Sequence, residues 1–496
     1  MTMTPLRPGL RALCLTVTAA ALTACSAHTP VLDPAADPAP VTAAASPLAP
    51  ELALATFDSV ARHVERTHYD PHMGGLDWAE ITARHRATVD DSTDRLTLYR
   101  IITDLLAELE TSHYTLLPGD WMGEATADAP DAEADTNLET GIDVRLVEGA
   151  VRVTRVAPGS PGALAGLESG DEIVALDGVD VAAEVAGLVD AGRAPAPRDR
   201  ADELQRLGLV AGLRYRLQYP ASSEPMEVTV APGRDVQVTP APSATPRMGF
   251  GTLLPPMAVE VRASRVALHV DPGGEPGSSA SPLAEPDPGC AGVLALSAWH
   301  PGMMGPMESA LQELESCRGI VLDLRGNPGG ILALMVPTAA QFIQEPGSLG
   351  SLRTRDSEMH FRATPRMVRS DATRAPAFPG PVAILVDELS MSTSEMFASG
   401  MQALGRARIF GVRTPGMALP ARTLPLPTGD YLMFAFADYT DGAGRRIEAR
   451  GVTPDTVTPL TREALLLGQD DALAVALEWI RQTPPDHPDP LSPSRN

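Results

Sequence analysis

Between Glu51 and Leu117 apolar residues recur at the spacing of one helix face, as in Leu96, Tyr99, Ile102, Leu106 and Leu109, which predicts a small helical bundle ending at Glu110-Thr111-Ser112-His113. A low-complexity acidic stretch, Gly123 to Asn137, follows and reads as a flexible connector. From Leu138 to about Pro232 the pattern shifts to short β-rich runs separated by turns: Ile142 to Val147, Val151 to Val156, Ile173 to Leu176, Tyr215 to Tyr219 and Met226 to Val230. A proline-rich stretch, roughly Arg234 to Pro256, reads as a linker. Beyond it, buried-strand runs (Arg265 to Val270, Ala291 to Ala298, Gly319 to Leu324, Val382 to Val386) alternate with helical ones (Met303 to Ser316, Ile331 to Gln344, Ser394 to Leu404). Strand followed by helix, repeated, predicts an α/β layer on a largely parallel sheet. Pro346 to Pro379 interrupts the alternation and reads as one long loop.

Composition narrows the chemistry. The chain has 496 residues, 39 basic and 63 acidic, and every basic residue is arginine. Without lysine there is no P-loop lysine, no Schiff base and no lysine general base. The net charge of −24 and the lack of basic runs argue against nucleic acid as a partner. No cysteine and histidine spacing suits zinc, so neither a metal nor another cofactor is expected.

The N-terminus has Arg7 and Arg11, an apolar run from Leu13 to Leu22, then Leu22-Thr23-Ala24-Cys25. This resembles a bacterial lipoprotein signal, the run being shorter than the ~20 residues of a membrane span. The resemblance implies cleavage before a lipidated Cys25 and a lipid-anchored place in the bacterial cell envelope, facing the periplasm or the surface. An uncleaved anchor, or a secretory signal with an incidental cysteine, is the other reading. With Cys14 and Cys25 assigned to the signal, Cys290 and Cys317 remain, each just before a predicted strand. An oxidising compartment permits a disulfide between them, and two separate buried thiols stay open as the alternative.

Val156-Ala157-Pro158-Gly159-Ser160-Pro161-Gly162-Ala163-Leu164-Ala165-Gly166-Leu167 followed by Gly170-Asp171-Glu172-Ile173 resembles a PDZ domain. The resemblance implies capture of an extended peptide at a sheet edge, with backbone N–H groups of a loop holding its terminal carboxylate. That loop corresponds to Thr140 with Gly141, Ile142, Asp143 and Val144. A PDZ fold that only packs against its neighbour is the alternative.

Two strand ends in the C-terminal half could carry chemistry. Leu322-Asp323-Leu324-Arg325-Gly326-Asn327-Pro328-Gly329-Gly330 is a glycine-rich turn whose free N–H groups could cradle a phosphate or an oxyanion, and the missing lysine weakens the phosphate reading. Ser390-Met391-Ser392-Thr393-Ser394-Glu395 enters a helix, where Ser392 could be a nucleophile or, with Glu395, a capping box.

These two blocks, with Gly75-Leu76-Asp77-Trp78, Ser112-His113 and Glu448-Ala449-Arg450-Gly451-Val452-Thr453-Pro454-Asp455, make the chain resemble the C-terminal processing and tricorn-type serine peptidase family from about Phe57 to Ile480. The resemblance implies an α/β peptidase core of ClpP/crotonase-like layered fold, with an N-terminal helical bundle and an inserted PDZ domain, a β-sandwich with helices. The implied divisions are a signal peptide (1–24), a tether (25–50), the N-terminal helical part (51–122), an acidic linker (123–137), the PDZ domain (138–233), a proline-rich linker (234–258), the peptidase core (259–484) and a tail (485–496).

One branch of that family uses a lysine base, and the corresponding position here is Met417, whose thioether cannot serve. The tricorn-type design implies Ser392 as nucleophile, His113 as base, and Ser112 and Glu448 in support. The oxyanion donors would be the N–H groups of Thr393 and of Gly329 or Gly330. Alternatives stay open at two positions: His113 as a surface histidine at a helix end, and Glu448 as a salt-bridge partner of Arg445, Arg446 or Arg450. The expected partners are therefore peptides or partly unfolded proteins. A non-catalytic envelope binding protein on an inactive peptidase scaffold is the competing class.

Overall fold

The computed structural model describes residues 48–117, 119, 137–183, 185, 200–220, 222–245, 247–250, 256–268 and 289–483. The signal region, Cys25, most of the tether, the acidic linker before Asn137 and the tail 485–496 lie outside the described residues. Two compact units divide the chain: one runs to Ser243 and takes in Ala421–Phe436, and the other holds most of the remainder.

In the first unit, α1 (Pro50–Thr67) buries Phe57, Val60 and Val64, three and four residues apart. Helices α2 (Trp78–Arg86) and α3 (Arg95–Ala107) are capped by Asp77 and Asp94, whose carboxylates accept the N–H groups of Glu80 and Thr97. The buried stripe of α3 is Leu98, Ile101, Ile102, Leu105 and Leu106, whereas Leu96, expected on that face, is 45% exposed. The helices end before the loop Glu110 to His113, as expected, and the apolar residues that run on to Leu117 form a strand. β1 (Thr115–Leu117) pairs antiparallel with Tyr431–Ala435, which pairs in turn with Ala421–Pro425. A three-residue strand whose partner comes from the far end of the chain leaves no local period to read.

The β-rich region holds a hairpin of β2 (Ile142–Val147) and β3 (Ala150–Val156), a short α4 (Pro161–Leu164), β4 (Ile173–Leu176) and β5 (Val179–Asp180). It continues with α5 (Arg200–Gln218), β6 (Met226–Val230) and β7 (Arg234–Val238), and a sheet runs in the order β5-β4-β6-β7. Two expectations are corrected here. Tyr215 to Tyr219 is not a strand: it closes α5, where Val210, Leu213 and Leu217 are buried at helical spacing. The proline-rich linker opens as strand β7, paired antiparallel along β6, so the polar run from Arg234 is an edge strand.

The second unit is built on a six-stranded sheet in the order β8 (Val261–Ala267), β9 (Cys290–Leu296), β10 (Gly319–Asp323), then strands Val382–Val386, Ala407–Gly411 and Thr456–Val457. Only β8 runs antiparallel; the other pairings are parallel. Helix α6 (Met304–Glu313) connects β9 to β10. The helix expected over Ile331 to Gln344 shortens to a 3-10 turn and α7 (Met335–Ala339). The expected long loop after it contains β11 (Gly347–Arg353) and β12 (Glu358–Ala363), an antiparallel pair extended by strand Asp438–Asp441. Tyr439 locks this sheet by donating its hydroxyl to the carbonyls of Leu349 (2.6 Å) and Met396 (3.0 Å).

β13 (Val382–Val386) is buried at every position, as a central parallel strand covered on both faces must be. It leads into α8 (Thr393–Ala403) and then β14 (Ala407–Gly411). The final helix, α9 (Asp471–Gln482), packs Ala472, Ala476 and Ile480 against Val321, Ala383, Leu385 and Phe410. Arg325 forks between Asp323 and Asp470, the cap of α9, and so braces the turn after β10. Cys290, at the start of β9, and Cys317, just before β10, form a disulfide.

Candidate active site

The turns after β10 and β13 are tied together by buried polar side chains. Asp387 Oδ1 accepts the N–H groups of Gly326 (2.8 Å) and Leu389 (3.0 Å), and Ser390 Oγ donates to the Leu324 carbonyl (2.8 Å). Asn327 is fully buried; its carbonyl accepts from Met391 N–H (3.0 Å) and Ser394 Oγ (3.1 Å), and its amide donates to the Leu296 carbonyl (2.8 Å). A rigid frame results. From Leu389 to Met401 every residue is buried except Ser392, which stands at φ 54°, ψ −117°. A non-glycine residue held in that region is strained, and Ser392 is half-buried at a sharp strand-to-helix turn.

Both glycines expected near the oxyanion have positive φ, 98° for Gly329 and 136° for Gly330. A Cβ on Gly329 would lie 2.7 Å from Ser392 Cβ, so the two backbones approach as closely as glycine permits. The Gly329 N–H donates to Asn327 Oδ1 (3.0 Å), while Thr393 Oγ1 donates to the Gly330 carbonyl (3.0 Å). Thr393 is the first residue of α8, where an N–H has no partner within the helix. Among the described residues the N–H groups of Gly330 and Thr393 have no partner, whereas that of Gly329 does.

Glu448 is buried and accepts the Ala418 N–H (2.9 Å). Arg445 and Arg446, considered as its salt-bridge partners, form ion pairs with Asp441 and Asp438. Met417 is buried, and its carbonyl accepts the Ser392 N–H (2.9 Å). Glu395 closes one half of a capping box by accepting that same N–H (3.2 Å) and reaches the 414–417 segment as well.

Ser112 and His113 lie in the first unit. Ser112 is fully buried and its Oγ is 2.7 Å from His113 Nδ1. His113 has φ 64° and is buried, not a surface histidine, and burial pushes its imidazole down to about 4. Tyr114 anchors the next residue through its hydroxyl on the Ala435 carbonyl (3.0 Å). Four other histidines have settings of their own. His63 meets Phe434 edge-on, His68 stacks on Tyr69, His85 bonds Glu108 and His72 precedes a 3-10 turn.

In the loop expected to hold a peptide carboxylate, Gly141 has φ 73° and packs against Ser160. Two of its N–H groups are already used: that of Ile142 on Thr140 Oγ1 (3.3 Å) and that of Val144 on Asp143 Oδ1 (3.0 Å). Asp143 also receives Arg145 (2.7 Å) and Arg214 of α5 (2.6 Å) on Oδ1. These arginines hold its carboxyl well below the usual range despite its burial.

Residues 291–458 match the description of peptidase family S41, and residues 152–206 match that of a PDZ domain. The C-terminal half is thus similar to peptidase family S41 over these 168 residues, and the β-rich region to a PDZ domain. It is 30% identical over 167 residues to the "Probable CtpA-like serine protease" of Staphylococcus haemolyticus, covering 33% of this chain and 32% of that one. It is 25% identical over 461 residues to "Tricorn protease homolog 1" of Streptomyces coelicolor, covering 88% of this chain and 36% of that one. The chain therefore spans about a third of the length of these curated relatives. Among solved structures, a photosystem II D1 C-terminal processing protease superposes with a TM-score of 0.52 at 22% identity, covering 86% of this chain and 97% of that one. Mature CPAF gives 0.52 at 13%, covering 87% and 97%. These likenesses establish the fold: an S41 peptidase fold with a PDZ domain.

Within the S41 domain lie Gly330, Ser392, Thr393 and Glu448, whereas Ser112 and His113 precede both matched segments. The residue that sequence reasoning undervalued is Glu395, taken only as a helix cap. Its signal was its spacing from Ser392, and the distant loop that shares its carboxylate left no mark nearby.

Proposed function

We propose that the chain is a serine peptidase that cleaves peptides or unfolded proteins through an acyl-enzyme on Ser392. The observation that carries this reading is Ser392 itself, strained and half-buried in a frame of buried residues, near the N–H groups of Gly330 and Thr393, which have no partner among the described residues. Ser392 Oγ attacks the scissile carbonyl while His113 takes its proton; the tetrahedral oxygen is met by the two N–H groups; His113 then protonates the leaving amine, and water repeats the sequence to release the acid. The Ser112 contact at Nδ1 leaves Nε2 for proton transfer. Glu448 supports the site from the 414–418 segment. A serine-lysine pair is ruled out because the chain has no lysine.

The PDZ domain's part in this reading is to bind substrate C-termini or gate the site, and Cys25 lipidation keeps the enzyme in the bacterial cell envelope. Support for the peptidase branch is the similarity to the tricorn homologue, which extends over 461 residues and 88% of this chain. Covalent labelling by a fluorophosphonate tests the assignment. Wild type is expected to label and Ser392→Ala not to; no labelling of wild type at any pH from 5 to 9 would defeat the proposal.

A further inference from the structure

Beside Ser392 a single buried carboxylate receives four donors from two separate segments. Glu395 Oε1 accepts from Thr414 Oγ1 (2.5 Å) and Gly416 N–H (2.7 Å), and Oε2 accepts from Met417 N–H (2.7 Å) and from Ser392 N–H (3.2 Å), which it shares with the Met417 carbonyl (2.9 Å). A capping-box glutamate has one donor to satisfy, at a helix start open to water. Glu395 is instead fully buried, and the other three donors belong to a loop some twenty residues further along the chain.

We propose that Glu395 is a positioning residue, which ties the Ser392 peptide to the 414–417 segment and thereby holds the strained backbone that aims the Ser392 hydroxyl. This deepens the peptidase reading and rests on Ser392 being its nucleophile. The donor inventory gives the proposal its physical content. Four donors converge on two oxygens, and three of them are N–H groups that cannot accept; a proton on Oε2 would face N–H groups alone, and one on Oε1 could bond only Thr414 Oγ1, and only if that hydroxyl turned its own proton away, so the ionised carboxylate is the form that meets all four donors. Burial pushes the Glu395 carboxyl up to about 7, and the charge of Glu448, the ionisable group facing it, adds to the rise. The groups of the 414–417 segment that touch it, Thr414, Gly416 and Met417, are uncharged, as is Ser392. The fully bonded arrangement is therefore completed only as the pH passes through the neutral range.

The test measures the rate of fluorophosphonate acylation of the full chain from pH 5 to 9. Wild type is expected to gain rate with a midpoint near 7, above the lower step set by His113. Glu395→Gln should lose that midpoint and react at least ~10-fold more slowly at pH 8, because its amide places two more donors among four. Thr414→Val, which removes one donor to the ionised form, should move the midpoint to higher pH and serves if Glu395→Gln does not fold. An unchanged rate and midpoint in Glu395→Gln, or an unchanged midpoint in Thr414→Val, would overturn the proposal while leaving Ser392 as nucleophile. Hydrogen exchange at one pH reads the tie without any reaction: Glu395→Gln is expected to exchange faster in both 389–397 and 414–418. If wild type fails to label, the peptidase reading falls, and equal exchange in the two proteins would then dispose of the positioning role separately.

Discussion

His113 and Glu395 are both buried, yet burial moves them in opposite senses because one is charged when protonated and the other when deprotonated. Lowered to about 4 in the fold from 6.5, His113 stays neutral, the form a general base requires; its contribution to stability is present above pH 6.5 and is lost as the pH falls toward 4. Glu395, raised to about 7 from 4.5, does the reverse: its folded form holds the proton longer, so stability is lost as the pH rises from 4.5 to 7. Urea unfolding midpoints should therefore show the advantage of wild type over Glu395→Gln shrinking across that window. The advantage over His113→Ala should grow from pH 4 to 6.5. Activity separates the two as well, since His113→Ala should reduce acylation by about 10⁴-fold in a chain whose circular dichroism is unchanged. Retained activity would mean that another base operates. At this scale the sequence supplied the proposed groups, Ser112-His113, Ser392 and Glu448, and their order. Which glycine keeps a free N–H was not legible, because the choice depends on Asn327 turning its side chain onto Gly329.

Among elements, the long parallel strands were readable and the short antiparallel ones were not. Val382–Val386 announces itself by an unbroken apolar run that the fold buries on both faces. β11, β12 and their partner Asp438–Asp441 carry no such run; they exist because Tyr439 and Gly350 let distant segments pair. The Tyr215 to Tyr219 segment shows the opposite error, in which a local alternation was overridden by the burial stripe of α5. The disulfide also belongs to this scale, since it staples adjacent strands β9 and β10 at their N-terminal ends across a sequence separation of 27. Closing such a loop limits the unfolded chain, and the chain-entropy estimate is about 3–4 kcal/mol. Replacing both cysteines by serine should lower the unfolding free energy of the second unit by about that amount in denaturant titrations; a change within error would mean that the strand pairing alone carries the junction.

At the scale of the whole molecule, the groups of the proposed mechanism are divided in the chain: His113 belongs to one compact unit and Ser392, Gly330 and Glu448 to the other. The same scale governs location. A lipidated Cys25 predicts that the chain sediments with membranes and that Cys25→Ala moves it to the soluble fraction with its fluorophosphonate labelling intact. Equal partition of the two proteins would refute the anchor. By itself the sequence determined the kinds of chemistry open to this protein, because the absence of lysine and the identity of the side chains at Ser112, His113, Ser392 and Glu448 are fixed by covalent structure. It also determined the α/β alternation, because hydrophobic period sets which elements can bury a face. Tertiary structure alone decided which N–H groups stay free, which carboxylate clamps the Ser392 turn and which short strands pair. Each of these depends on partners far apart in the chain, and a hydrogen bond between distant residues leaves no trace in the pattern around either one.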